Sequence, residues 1–281
     1  MSEIRQIIKI SRPRFWIYIF GPYIVGLAAA ASNQSDLYSW KVAIFALFFL
    51  IPANLLIYGV NDIFDYETDK INRKKIEYET LVTPEAAKRL SVIIFLFNIP
   101  FIAASYLLVS GASVPLLCFY FFSIFYSTPP IRAKTKPLID SLFNVLYIFP
   151  GIFAFKMVSG SYPSPLIFAA AGLWTMAMHA YSAIPDIEAD KAAGISTIAT
   201  KLGSTATHIF CALLYVGSAI LAYKYLGHIS ILFALVYSTM LLISLRFSRF
   251  NAVFKIYRYF PYINAVIGFI LFWYIAFEKF L

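Results

Sequence analysis

Nine apolar stretches, each near the length that crosses about 30 Å of hydrocarbon at ~1.5 Å per helical residue, constrain this chain more than any other feature. They run at about 14 to 31, 41 to 60, 88 to 109, 113 to 126, 138 to 155, 165 to 184, 204 to 225, 228 to 246 and 258 to 279, the fourth being short. With 61% hydrophobic and 13% charged residues among 281, the composition is that of a bilayer protein, not a soluble domain. The expectation is an all-α, polytopic membrane protein. It would have nine transmembrane helices in a bundle and form a single domain over residues 1–281.

Basic residues test this count, because cytoplasmic loops carry the Lys and Arg excess. With the N-terminus cytoplasmic, all of the 23 Lys and Arg fall on that side except Lys41, Lys156, Lys224 and Lys279. The C-terminus is then expected on the opposite side. The formal net charge of +9 reads as a topology signal plus attraction to anionic headgroups or phosphates, and gives nucleic-acid binding no support. The first stretch is expected as a retained helix, not a cleaved signal. Cys118 and Cys211 fall inside apolar stretches, without disulfide or metal spacing.

Half of the 14 acidic residues fall in two segments, NDIFDYETDK from Asn61 and IPDIEADK from Ile184. Both belong to expected cytoplasmic loops, at about 61–85 and 185–203. Asn61, Asp65 and Asp69 are spaced to line one side of a helix extending from the second stretch, with Asp62 nearby; Asp186 and Asp190 repeat the spacing after the sixth. The displacement that carries Asp65 onto Asp186 also carries Asp69 onto Asp190 and Lys70 onto Lys191. It sets Asn54 on Thr175, Tyr58 on His179 and Asn61 on Ser182. This is the mark of a parallel four-helix pseudo-repeat, which would set the two clusters facing each other above a central apolar cavity lined in part by Asn54, Tyr58 and Ser182. Stacked carboxylates repel unless a cation joins them, and hard oxygen ligands suit Mg2+ held together with a phosphate. The bland alternative is acidic helix ends sitting in water, but it leaves the shared register unexplained.

Basic segments on the same side supply diphosphate donors. SRPRF offers Arg12, INRKK offers Arg73, and YSTPPIRAKTKP offers Arg132 and Lys134, with Lys70 and Lys191 closing the acidic clusters. The double proline is expected to hold the last of these loops extended. A diphosphate at the mouth of an apolar bundle implies an isoprenyl diphosphate, its tail among the helices and a lipophilic acceptor arriving from the membrane lipids. Tyr58 and Tyr126 are candidates to stabilise an allylic cation, and His179 or diphosphate itself to remove a proton. His208 and His228 carry no constellation. A cation transporter would also use paired Asp clusters, but its sites usually lie near the midplane on inverted repeats.

NDxxDxxxD after the second stretch, YSTPPIRAK after the fourth and DIEADKAAGISTIATKLG after the sixth resemble the UbiA-type intramembrane prenyltransferases. The resemblance covers essentially the whole chain. It implies nine helices and Mg2+ ligation by Asn61, Asp65 and Asp69 on one side and Asp186 and Asp190 on the other. Asp62 belongs to the Asn-Asp pair, as a ligand or as the group that orients Asn61. Asp65 and Asp186 are the positions expected to abolish turnover when lost. SRPRFWIYIFGPYIVGLAAA and SAIPDIEADKAAGISTIATKLG look most like the lycopene elongase branch. That branch implies dimethylallyl diphosphate as donor and a carotenoid acceptor; a quinone precursor or tetrapyrrole is the alternative acceptor.

Overall fold

The computed structural model describes residues 3–70, 80–248 and 252–280, with backbone alone at 3, 67 and 68. Among these residues every regular element is helical. Eight helical stretches are long and apolar enough to cross a membrane: Trp40–Phe64, Pro84–Leu108, Ser110–Ser127, Ile139–Ser159, Pro165–Ala192, Ile198–Leu226, His228–Ser248 and Val253–Phe280. They are numbered spans two to nine below, after the apolar stretches they match. The expected ninth is a correction. The first stretch gives a helix of 14 residues, Ile17–Ala30, only about 21 Å long. Arg12 adopts a left-handed backbone, φ 52°, and Pro13 opens a 3-10 turn, so the helix starts late. Ala31 is extended, and the chain then enters a second 3-10 turn that Asn33 and Asp36 close with reciprocal side-chain caps.

Helix starts follow local chemistry. Thr83 caps span three ahead of Pro84, and Ser164 caps span six ahead of Pro165. Span two is broken at Ile51 by Pro52. The Asn54 amide, fully buried, donates to the Phe49 and Leu50 carbonyls, each at 3.0 Å, at that break. Span seven is interrupted at Gly203, whose φ of 76° lies in the region that favours glycine.

The chain divides into two compact units. The first comprises Met1–Arg132, Phe149–Tyr162 and Leu271–Leu281; the second comprises Ala133–Ile148 and Pro163–Ile270. The division falls inside span five, so neither unit is one continuous segment. The first unit buries an aromatic core in which Phe45 and Phe153 approach to 4.6 Å and Phe48 and Phe49 to 4.8 Å. Helix Ile17–Ala30 crosses span five there at small residues: a Cβ on Gly26 would stand 2.2 Å from the Gly151 carbonyl oxygen. In the second unit Tyr215 and Tyr237 stack at 4.1 Å, and the Tyr237 hydroxyl donates to Asn264 at 2.8 Å. Large apolar side chains such as Leu107, Leu213, Ile220 and Leu242 are exposed along the spans, as lipid-facing residues of an integral multi-pass protein are.

The repeat is visible in the element boundaries. The displacement that carries Asp65 onto Asp186 carries Ser127, the last residue of span four, onto Ser248, the last described residue of span eight. It also carries Thr83, the cap of span three, onto Ser204, the residue after the Gly203 break in span seven.

Candidate functional site

In the first unit, the acidic segment leaves span two through a break that corrects the expected continuous helix. Asp65 has φ −108° and ψ 6°, between helix Pro52–Phe64 and the short helix Tyr66–Asp69. The Asp69 N–H donates to the Asp65 carbonyl at 2.8 Å, so one turn of helical spacing survives. Asp186 in the second unit adopts almost the same backbone, φ −97° and ψ 1°, ahead of helix Ile187–Ala192. Two aspartates predicted to match thus head the same local structure, each at the point where a membrane helix ends.

Cations already stand at the first cluster. The Arg12 Nη2 donates to Asp62 Oδ1 at 2.7 Å, with the Arg12 side chain 15% and the Asp62 side chain 2% exposed. The same guanidinium lies 4.9 Å from the centroid of the Tyr58 ring, and Phe15 packs on Tyr58 at 5.9 Å. Arg132 places Nη2 3.9 Å from Asp65 Oδ1. Asn61 accepts a 2.9 Å hydrogen bond from Ser127 Oγ through its Oδ1. Asp69 is buried, Lys70 is exposed with its ammonium 5.9 Å from the Tyr66 ring, and Tyr126 is half-buried at the end of span four. Arg73 and the rest of INRKK lie outside the described residues.

The loop after span four is folded, not extended as expected. The Pro129-Pro130 bond is cis, the Arg132 N–H donates to the Thr128 carbonyl at 2.8 Å, and Arg132 has φ 44°. The reversal sends the Arg132 side chain back to Asp65. In the second unit, Lys134 is half-buried on the 3-10 turn Ala133–Thr135 that follows.

At the second cluster, Asp190 is half-buried. Asp186 is exposed, and Ser182 donates to the His179 carbonyl at 2.7 Å. Lys191 stands 3.9 Å from Glu188 in a solvent-facing pair. Asp140 escaped the sequence reading because it belongs to no acidic cluster. The available signal was an ionisable residue at the head of an apolar span. The expectation that His208 carries no constellation is corrected. Its ring stands 2.9 Å from Ser244 Oγ and 2.8 Å from the Ser204 carbonyl, and the Tyr181 hydroxyl donates to the same Ser244 at 3.1 Å. Ser204 follows the Gly203 break, so this buried set pins the interrupted helix to span eight.

Among the described residues no three His, Cys, Asp or Glu side chains converge on one point as a self-sufficient metal site. Within each unit the donors are oxygen-only: Asp65, Asp69 and Asn61 in the first, Asp186 and Asp190 in the second. That set suits a hard cation completed by water and phosphate oxygens.

The chain matches the UbiA prenyltransferase family over residues 19–255. It is 46% identical to the lycopene elongase/hydratase of Haloferax volcanii over 220 residues, covering 75% of this chain and 69% of that protein. With the lycopene elongase/hydratase of Halobacterium salinarum it shares 37% identity over 265 residues, 94% of each chain. The fold matches a UbiA homolog from Archaeoglobus fulgidus, solved bound to GPP and Mg2+, with a TM-score of 0.70 at 19% identity; the match covers 95% of this chain and 99% of that one. This protein is therefore a member of the UbiA prenyltransferase family, a prenyltransferase near the lycopene elongase branch.

Proposed function

We propose that the protein transfers a five-carbon isoprenyl group from dimethylallyl diphosphate to the end of a carotenoid such as lycopene, within the membrane and with Mg2+. The observation that carries the reading is the set of guanidinium groups at the first acidic cluster, Arg12 on Asp62 and Arg132 beside Asp65. Such planar, forked donors match the oxygens of a multiply charged diphosphate. The carotenoid acceptor rests on the likeness to lycopene elongase/hydratases. Family membership leaves the cation-transport alternative without support.

Asp65, Asp69 and Asn61 of the first unit would hold Mg2+, as would Asp186 and Asp190 of the second. Bound there, the ion would supply positive charge to the diphosphate as the allylic C–O bond breaks and the electron pair leaves with oxygen. Arg12 and Arg132 take up the same developing charge, and Lys134, Lys70, Lys191 and Arg73 add to the field around it. The Tyr58 face, already under a guanidinium, is able to stabilise a cation without forming a bond to it. Tyr126, beside the turn that carries Arg132, has the same capacity. The acceptor double bond attacks the allylic carbon, which leaves a cation on the acceptor. That cation closes by losing a proton, to His179 or to diphosphate, or by taking up water and then losing a proton.

We further infer that the N-terminus and the acidic loops face the cytoplasm and the C-terminus the opposite side. The test of function is incubation of membranes with labelled dimethylallyl diphosphate and lycopene, with mass analysis of the product. The expected gain is C5H8 per modified end, or C5H8 plus water, abolished by a Mg2+ chelator and restored by added Mg2+. Label appearing only in a quinone precursor or tetrapyrrole supplied in parallel would overturn the carotenoid assignment.

A further inference from the structure

We propose that Asp140 is a positioning residue that ties both ends of the second acidic segment to the head of span five. The inference rests on reading that segment as half of the donor site. Asp140 is fully buried at the second residue of an apolar helix, where an isolated carboxylate is costly. Its contacts show what holds it there. Oδ1 accepts from the Ser141 N–H at 2.8 Å, and Oδ2 accepts from the Ile198 N–H at 2.8 Å. The same Oδ2 lies 3.7 Å from His179 Nε2, an ion-pair distance when the ring is protonated.

These partners bracket the acidic segment. His179 sits in the last turn of helix Pro165–Ser182, immediately ahead of it, and its carbonyl accepts from the Ala183 N–H at 3.1 Å. Ile198 is the first residue of span seven, the next long helix after it. The carboxylate thus meets the backbone amide that opens span seven and the histidine that precedes Asp186. Within the bracket, the Ile195 N–H donates to the Asp190 carbonyl at 2.8 Å, and Gly194 turns the chain with φ 70°. The backbone ahead of Asp140 is strained: Leu138 has φ 72° with a half-exposed side chain, a conformation bulky residues keep only where their surroundings enforce it.

The positions of Asp186 and Asp190 therefore depend on a carboxylate from another span. Asp140 need not touch the donor to govern the site. Asn at this position would keep one acceptor oxygen and the side-chain volume, while losing the charge and the second acceptor.

The experiment compares purified wild type with Asp140→Asn and His179→Gln in detergent. It measures thermal melting, amide hydrogen exchange, and Mg2+-dependent binding of an unreactive thiolo analogue of dimethylallyl diphosphate. Asp140→Asn is expected to melt near wild type. Its exchange should rise about tenfold over 183–198 and stay unchanged over 61–70, and the Mg2+ needed for half-maximal binding should rise about tenfold. His179→Gln is expected to speed exchange at the leading end of the segment only, which tests the bracket even where Asp140→Asn fails to fold. Wild-type protection over 183–198 in Asp140→Asn overturns the proposal, as does exchange rising alike along the whole chain. If the wild type shows no Mg2+-dependent analogue binding while the exchange result holds, the proposed function falls and the bracket stands.

Discussion

Asp62 shows how one contact reassigns a residue. Its carboxylate receives Arg12 at 2.7 Å while almost wholly buried, so the structure gives it a cation partner already in place. Asp62→Asn is expected to raise the donor KM about tenfold, because Arg12 loses its anchor, while leaving the Mg2+ half-saturation unchanged. A shift in the Mg2+ requirement would instead make Asp62 a metal ligand. Asp65 and Asp186 sit at matching breaks, and Asp65→Ala and Asp186→Ala are each expected to cut kcat by at least about a hundredfold in protein that remains inserted and folded. Near-normal turnover in either would remove the two-cluster reading. Three of the four lysines expected on the side with few charges have local work as well. Lys41 donates to the Leu108 carbonyl at 3.0 Å, Lys156 to Gly160 at 2.6 Å and Lys279 to Ala31 at 3.2 Å, each at or just past a helix C-terminus.

At the scale of elements, breaks matter as much as helices. Pro52 divides span two, Gly203 divides span seven, and Asp65 and Asp186 each interrupt the backbone as a span ends. The first two breaks are held by specific partners: the Asn54 amide at Pro52, the His208, Ser244 and Tyr181 set beside Gly203. Close approach of helix Ile17–Ala30 and span five depends on Gly26 and Gly151. Gly26→Val is expected to destabilise the first unit by roughly 1–3 kcal/mol or more, because the new side chain meets backbone, which yields less readily than a side-chain tip. The measurement is the melting temperature in detergent; a wild-type value would show that the spans part without cost. The Gly pair was not singled out in the sequence, since each glycine is ordinary until its opposite is known.

For the whole molecule, sidedness remains the testable consequence of the basic-residue bias. In a Cys118→Ser, Cys211→Ser background, Ser161→Cys in right-side-out vesicles is expected to react with a membrane-impermeant thiol reagent, and Lys88→Cys is not. The reverse pattern would invert the topology. The sequence by itself determined the membrane class, the helical architecture, the order of the spans to within a few residues and the shared register of the two acidic segments. These follow from hydrophobic runs and residue spacing, which act over one or two helical turns. It overcounted full-length spans because an apolar run does not reveal that Arg12 and Pro13 delay the helix start. Only the tertiary structure decided that Arg12 meets Asp62 across 50 residues, that the Ile198 amide meets Asp140 across 58, and that the double proline turns Arg132 back to Asp65. Those pairings join residues that no periodicity relates; a buried charge is fixed by whichever partner the folded chain brings within reach.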